Sequence, residues 1–170
     1  MGRDKAAAIF QGKPLWRHVY DSVAPLFDTV MFSVRALRED LPYPQAQDAF
    51  VARGPIVGIA SALMVVETEW VFIAGCDMPF IQPDLVRFMA EKRAGHDAVL
   101  GEAVGCWQPL LAFYAQSALP AMRARMAKDE RSLMRLIADD LDAVILAESS
   151  MRCFDHGLQS FTDFDSTKRF

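Results

Sequence analysis

Only three of the 170 residues are cysteine, and Cys76, Cys106 and Cys153 are odd in number and share neither metal-ligand nor redox spacing. That pattern argues against a disulfide framework and for a reducing compartment, so the expected location is the cytoplasm. Long apolar runs are missing too. The longest, Ile56 to Val66, falls well short of the roughly 20 residues a membrane helix needs. No secretory apolar stretch opens the chain, and Ala6 stands where a myristoylation signal wants Ser or Thr, so no membrane partner is expected. Basic residues are outnumbered, 18 against 22 acidic ones, for a formal net charge of −4. The basic stripe of a general nucleic-acid binder is therefore lacking, although a small anion held by a local cluster stays compatible. No repeat, linker or low-complexity segment interrupts the chain.

What is present is ordinary for a soluble globular protein: 52% apolar and 24% charged residues. The length suits one domain over 1–170, able to bury roughly 70% of its unfolded surface.

The chain is organised around the stretch Trp70-Val71-Phe72-Ile73-Ala74-Gly75-Cys76-Asp77-Met78-Pro79-Phe80. Five consecutive apolar residues suit a strand buried on both faces of a parallel sheet. The run stops at a carboxylate, and Pro79 then prevents continuation as a ladder strand or helix. Ligands of open α/β sheets gather at the carboxyl ends of the strands, which makes Asp77 a candidate for chemistry as well as for a turn cap.

Along the rest of the chain, Leu15, Val19, Val23 and Leu26 recur at helical spacing after Pro14, with an end near Pro25. His18 falls on the polar side of that helix. Thr29 to Val34 reads as a short strand, followed by a polar, proline-bearing connection to Asp48. Gly54-Pro55-Ile56-Val57-Gly58 opens a helix that is apolar nearly all round, hence buried. Pro83 opens another, bearing Leu85, Val86 and Met89. Strands are expected at Asp97 to Leu100, Pro109 to Tyr114 and Ala143 to Leu146, with helices after Pro120 and at Leu133, Leu136 and Ile137. The tail Phe161-Thr162-Asp163-Phe164-Asp165 alternates as a half-buried strand or ligand-lining loop does. Alternating strands and helices predict a doubly wound α/β fold, its sheet mostly parallel and Rossmann-like, with helices on both faces.

Five segments then carry a resemblance: Met1-Gly2-Arg3-Asp4-Lys5, Gly12-Lys13-Pro14-Leu15, Gly54-Pro55-Ile56-Val57-Gly58, Cys76-Asp77-Met78-Pro79 and Gln108-Pro109-Leu110. In this order and spacing the chain resembles the molybdenum cofactor guanylyltransferases, within the nucleotidyltransferase superfamily. The family pattern begins Leu-Ala-Gly-Gly before its Met-Gly, so the resemblance implies that the first strand and its glycine-rich turn lie outside these residues. The family's late Asn-x-Asn-Thr-Pro reads Asp163-Phe164-Asp165-Ser166-Thr167 here, and its Asn after the second strand aligns with Val34, beside Arg35.

The resemblance implies transfer of GMP from GTP to the molybdenum-pterin cofactor, with Mg²⁺ as cofactor and other molybdenum cofactor assembly proteins as candidate partners. By family position, Asp77 and Lys5 are the catalytic candidates. Lys5, Lys13, Asp48, Gly54, Gly58 and Asp77 would bind nucleotide. Asp77, Asp163 and Asp165 would hold metal, and Gln108, Arg131 and Ser132 would line the pterin side. Cys76 is expected as a small buried neighbour of the acid. Two alternatives remain open at this level: a related transferase using CTP or a sugar phosphate, and a non-catalytic relative that only binds ligand or partner.

Overall fold

The computed structural model describes residues 7–164. Strands β1 (Ile9–Phe10) and β2 (Lys13–Pro14) form a small antiparallel hairpin, Phe10 opposite Lys13. Its turn needs two positive φ angles, at Gln11 (47°) and Gly12 (82°), and glycine meets the larger at no steric cost. Helix α1 (Leu15–Val23) follows at once, burying Leu15, Val19 and Val23 on one stripe.

Strand β3 (Phe32–Val34) pairs in parallel with β4 (Gln45–Gln47). The second of these lies within the stretch expected to be only a connection. Its residues, Gln-Ala-Gln, carry a single buried apolar side chain, Ala46, so no periodicity announced it. Helix α2 (Pro55–Val65) starts from Gly54, whose φ of 126° is closed to ordinary side chains, with Pro55 in the first turn. Seven of its residues are buried, in keeping with its lack of a polar face.

The main sheet contains β5 (Trp70–Ala74), β6 (Ala98–Ala103), β7 (Cys106–Ala115) and β8 (Ala143–Leu146) in the order β5-β7-β6-β8. Strand β7 runs antiparallel to both β5 and β6, while β6 and β8 are parallel. The layered α/β expectation holds, but the sheet is mixed rather than mostly parallel. The cause is local: Val104 (φ 54°) and Gly105 (φ 70°) turn the chain straight back, so the strands near 98 and 109 form a hairpin instead of a helical crossover.

Helices α3 (Pro83–Ala90), α4 (Leu119–Ala127), α5 (Leu133–Asp139) and α6 (Glu148–Met151) complete the layers. One core packs α1, α3 and α6 against Val99, Leu111 and Phe113; the other packs α2, α4 and α5 against Leu100, Ala112 and Tyr114. Neighbouring residues of β6 and β7 thus feed opposite cores, as strand alternation requires. Strand β5 departs from expectation, because all five residues are half-buried rather than enclosed on both faces. Among the described residues it has β7 on one edge and no strand on the other. Among the described residues the tail shows no strand, and a 3₁₀ turn lies at Gln159–Phe161. No described helix is long and apolar enough to cross a membrane.

Candidate functional site

Beyond Ala74 the ladder continues for one residue, the Gly75 N–H donating to Leu110 O at 2.8 Å. The chain then turns, with Met78 N–H donating back to Gly75 O at 3.3 Å. Met78 and Pro79 are buried and anchor this turn, whereas Asp77 stays half open. A Cβ at position 75 would lie 3.1 Å from Asp77 Oδ1, so glycine leaves the carboxylate its place. Cys76, expected to be buried, is exposed, because it sits at the outer bend of the turn.

The tail reaches the same point. Phe164 N–H donates to the Asp77 carbonyl at 2.9 Å, which brings Asp163, an exposed residue, alongside the Asp77 turn. Phe10 closes the third side, its ring 5.6 Å from both Phe80 and Phe164. The Gln11-Gly12 hairpin, the Asp77 turn and the Asp163 tail therefore meet at the carboxyl end of β5. His18 belongs to this packing and not to solvent: its Nε2–H donates to Phe10 O at 2.7 Å, which fixes the tautomer, and its ring lies 5.4 Å from that of Phe10.

Lys13 stands in β2 with its ammonium paired to Asp21 at 3.0 Å, and Arg17 shares that carboxylate at 2.8 Å. The hydrogen bond from Lys13, ahead of that from Arg17, holds the Asp21 carboxyl below its usual range. Both partners are well exposed, so the pair is a weak tether that an anionic ligand can outcompete.

A cleft of about 330 Å³ opens beside this junction, lined by Ser33, Val34 and Arg35 after β3, Asp48 after β4, Gly54 and Gly58 at the start of α2, and Ile73 and Leu110 from the main sheet. The Asp48 N–H donates to Val34 O at 2.8 Å, which holds Asp48 in the lining of the cleft. A Cβ on Gly58 would meet Ser33 Oγ at 2.6 Å and lie 4.0 Å from Asp48 Oδ1. Glycine at 58 thus lets helix and strand approach and keeps the floor of the cleft open. Ser33 and Arg35 escaped the sequence reading. Their one signal was the position of Arg35 at the end of a parallel strand.

The three residues expected on the pterin side are engaged elsewhere. Gln108 Nε2 donates to Ala103 O (3.3 Å) and Cys106 O (3.4 Å), closing its own hairpin. Arg131 pairs with Asp129, and Ser132 caps α5 by accepting the Arg135 N–H at 3.3 Å. A second hollow of about 380 Å³ lies next to them, between Gly105 and Trp107 of the hairpin and Met134, Arg135 and Ala138 of α5. Lys5 and Asp165 lie outside the described residues.

The donor set at the junction is oxygen only. Asp77 and Asp163 suit a hard cation that keeps several waters. Among the described residues no group of three or more His, Cys, Asp and Glu side chains could hold a metal. Two oxygen-only side chains are compatible with Mg²⁺, which binds through one or two carboxylates and leaves its remaining positions to water and phosphate oxygens.

The sequence and the fold are similar to those of known proteins. A molybdenum cofactor guanylyltransferase of Pseudomonas putida is 31% identical over 159 residues, spanning 89% of this chain and 82% of that protein. One from Pseudomonas entomophila is 31% identical over 160 residues, 89% and 83% of the two chains. The crystal structure of molybdopterin-guanine dinucleotide biosynthesis protein A from Archaeoglobus fulgidus superposes with a TM-score of 0.85 at 27% identity, over 99% of this chain and 89% of that one. The 2-C-methyl-D-erythritol 4-phosphate cytidylyltransferase of Thermus thermophilus shares the fold alone, with a TM-score of 0.63 at 12% identity over 89% and 92%. Residues 1–144 match the family described as the MobA-like NTP transferase domain, and the chain belongs to that family.

Proposed function

We propose that the chain, whose residues 1–170 belong to one nucleotidyltransferase-like domain, transfers GMP from GTP to a molybdenum-pterin cofactor and releases pyrophosphate. The observation that carries the reading is the 2.9 Å bond from Phe164 N–H to the Asp77 carbonyl, which joins two acidic segments 87 positions apart beside the Asp48 cleft. The names of the 31%-identical relatives support the choice of substrate class.

In this reaction a terminal phosphate oxygen of the pterin bonds to the α-phosphorus of GTP. The bond from that phosphorus to the bridging oxygen breaks, and the electron pair leaves with pyrophosphate. Both reactants are anions, so the site must align them and offset their charge. Lys13, released from Asp21, and Lys5 would follow the phosphates as mobile point charges. The Asp48 carboxylate would accept the N1–H and N2–H donors on one edge of guanine; cytosine offers no such donor pair, only one amino group. Gly54 and Gly58 would let the backbone close on the nucleotide, and Ile73 with Leu110 would supply apolar wall. Asp77 and Asp163 would orient Mg²⁺, which when bound neutralises phosphate charge and polarises the α-phosphate. Asp165 remains a candidate for the same role. The neighbouring hollow between the hairpin and α5 would take the acceptor, with Gln108, Arg131 and Ser132 holding its surroundings in shape rather than touching it. Cys76, Cys106 and Cys153 are exposed and form no disulfide, which suits a reducing cytoplasm.

Pyrophosphate release tests the reading, measured with GTP or CTP in the presence of Mg²⁺ and pterin cofactor. Release with GTP alone is expected. Equal release with CTP would remove Asp48 as a reader of guanine, and none with either nucleotide would remove transfer itself.

A further inference from the structure

Asp155 is 4% exposed and Ser160 is fully buried; with Ser61 they are the buried polar side chains among the described residues. Neither belongs to the cleft or to the motifs that point to the reaction. Among the described residues no cation pairs with the Asp155 carboxylate. Its Oδ1 accepts the Gln159 N–H at 2.9 Å and its Oδ2 the Ser160 N–H at 2.8 Å. A buried carboxylate whose two oxygens each accept a backbone donor holds a turn in one shape. The turn is demanding, since Leu158 sits in the left-handed region at φ 51° with its side chain buried.

The turn is also fastened to distant parts of the chain. Ser160 Oγ accepts the N–H of Gln82 at 2.9 Å, a link between residues 78 positions apart. Gln82 ends the loop that begins at Asp77 and immediately precedes α3. Beneath the turn, Gly101 of β6 leaves room for both Met151 and Phe161: a Cβ there would lie 2.6 Å from Met151 Sδ and 2.9 Å from the tip of the Phe161 ring. Four residues on from Ser160, the Phe164 N–H takes the Asp77 carbonyl. The loop 77–82 is thus bonded to the tail at both of its ends.

We infer that Asp155 and Ser160 are positioning residues: the turn they shape clamps loop 77–82 to the tail, and so presents Asp77 and Asp163 to one divalent cation. The inference rests on the metal role proposed above and adds to it the device that holds the two acids in register. Outer partners of this kind typically matter about 10–100-fold in metal affinity.

The test compares wild type with Ser160→Ala, which deletes the acceptor for Gln82, and Ser160→Thr, which retains a hydroxyl. Two readouts serve: amide hydrogen exchange over 77–82 and at Phe164, and Mn²⁺ uptake followed by electron paramagnetic resonance with GTP present. Expected for Ser160→Ala are faster exchange at Asp77 to Gln82 and Phe164, and Mn²⁺ affinity lowered about tenfold, both recovered in Ser160→Thr. Asp155→Asn, which loses one acceptor oxygen, stands in if Ser160→Ala does not fold and should move both readouts the same way. Unchanged exchange over 77–82 would overturn the clamp. Faster exchange with Mn²⁺ affinity unchanged would reduce it to a purely structural fastening and overturn the positioning role. Absence of Mn²⁺ uptake by the wild type would instead overturn the metal reading, while exchange still decides the clamp.

Discussion

Asp77 is held in place through its backbone and its neighbours. Gly75 gives its carboxylate space, buried Met78 and Pro79 anchor the turn, and Phe164 occupies its carbonyl, while the side chain stays half open. An acid whose backbone is pinned and whose side chain stays half open is built to meet a ligand. Asp77→Asn preserves shape and removes the charge. Turnover should fall about a hundredfold or more, while Tm moves by no more than about 2 °C, as for a substitution outside the core. Enzyme assay and thermal melt check this together, and full activity in the variant would take Asp77 out of the mechanism. At the same scale, the pair of Lys13 with Asp21 shows why a motif lysine cannot be assigned from sequence alone. Its partner arrives from the next helix, eight residues on, and the motif says nothing about it.

Among the elements, α5 separates two roles that a sequence motif conflates. Arg131-Ser132 resembles a substrate-binding pair, yet Ser132 accepts the Arg135 N–H as the helix N-cap. Ser132→Ala should cost about 1 kcal/mol, seen as a Tm lower by about 2–4 °C, with KM for the pterin acceptor unchanged. A raised KM at constant Tm would return Ser132 to the acceptor side. The β6–β7 hairpin teaches a related lesson. Apolar strands at 98 and 109 were legible, but their direction depended on Val104 and Gly105, and Val104 is a residue type seldom found at positive φ. Strand β4 and helix α6 were not legible, because each is too short for a period to develop.

For the whole molecule, the main sheet divides two cores, and Tyr114 lies fully buried in the one beneath α2 and α5, its hydroxyl donating to Pro109 O at 2.9 Å. Burial pushes its phenol pKa far above the ordinary value. The unfolded chain therefore releases this proton first, near pH 10, and above that pH the native state holds more protons than the unfolded one. Stability from this group is fully present below about pH 10 and falls as pH rises further. Denaturant unfolding between pH 8 and 11 should show that decline, and Tyr114→Phe should flatten it. An equal slope in the variant would assign the decline to other groups.

The sequence by itself determined the class of fold, most helix positions and the acid at the end of β5, because burial periodicity and proline or glycine punctuation act over a few residues. It also carried the family, through motifs whose order survives in the linear chain. Only the tertiary structure decided the mixed direction of the sheet, the meeting of Phe10, Asp77 and Phe164, the cleft between Ser33, Asp48 and Gly58, and the fastening of Ser160 to Gln82. These depend on which surfaces face one another once two cores close on a common sheet, and contacts 78 or more positions apart leave no trace in local pattern.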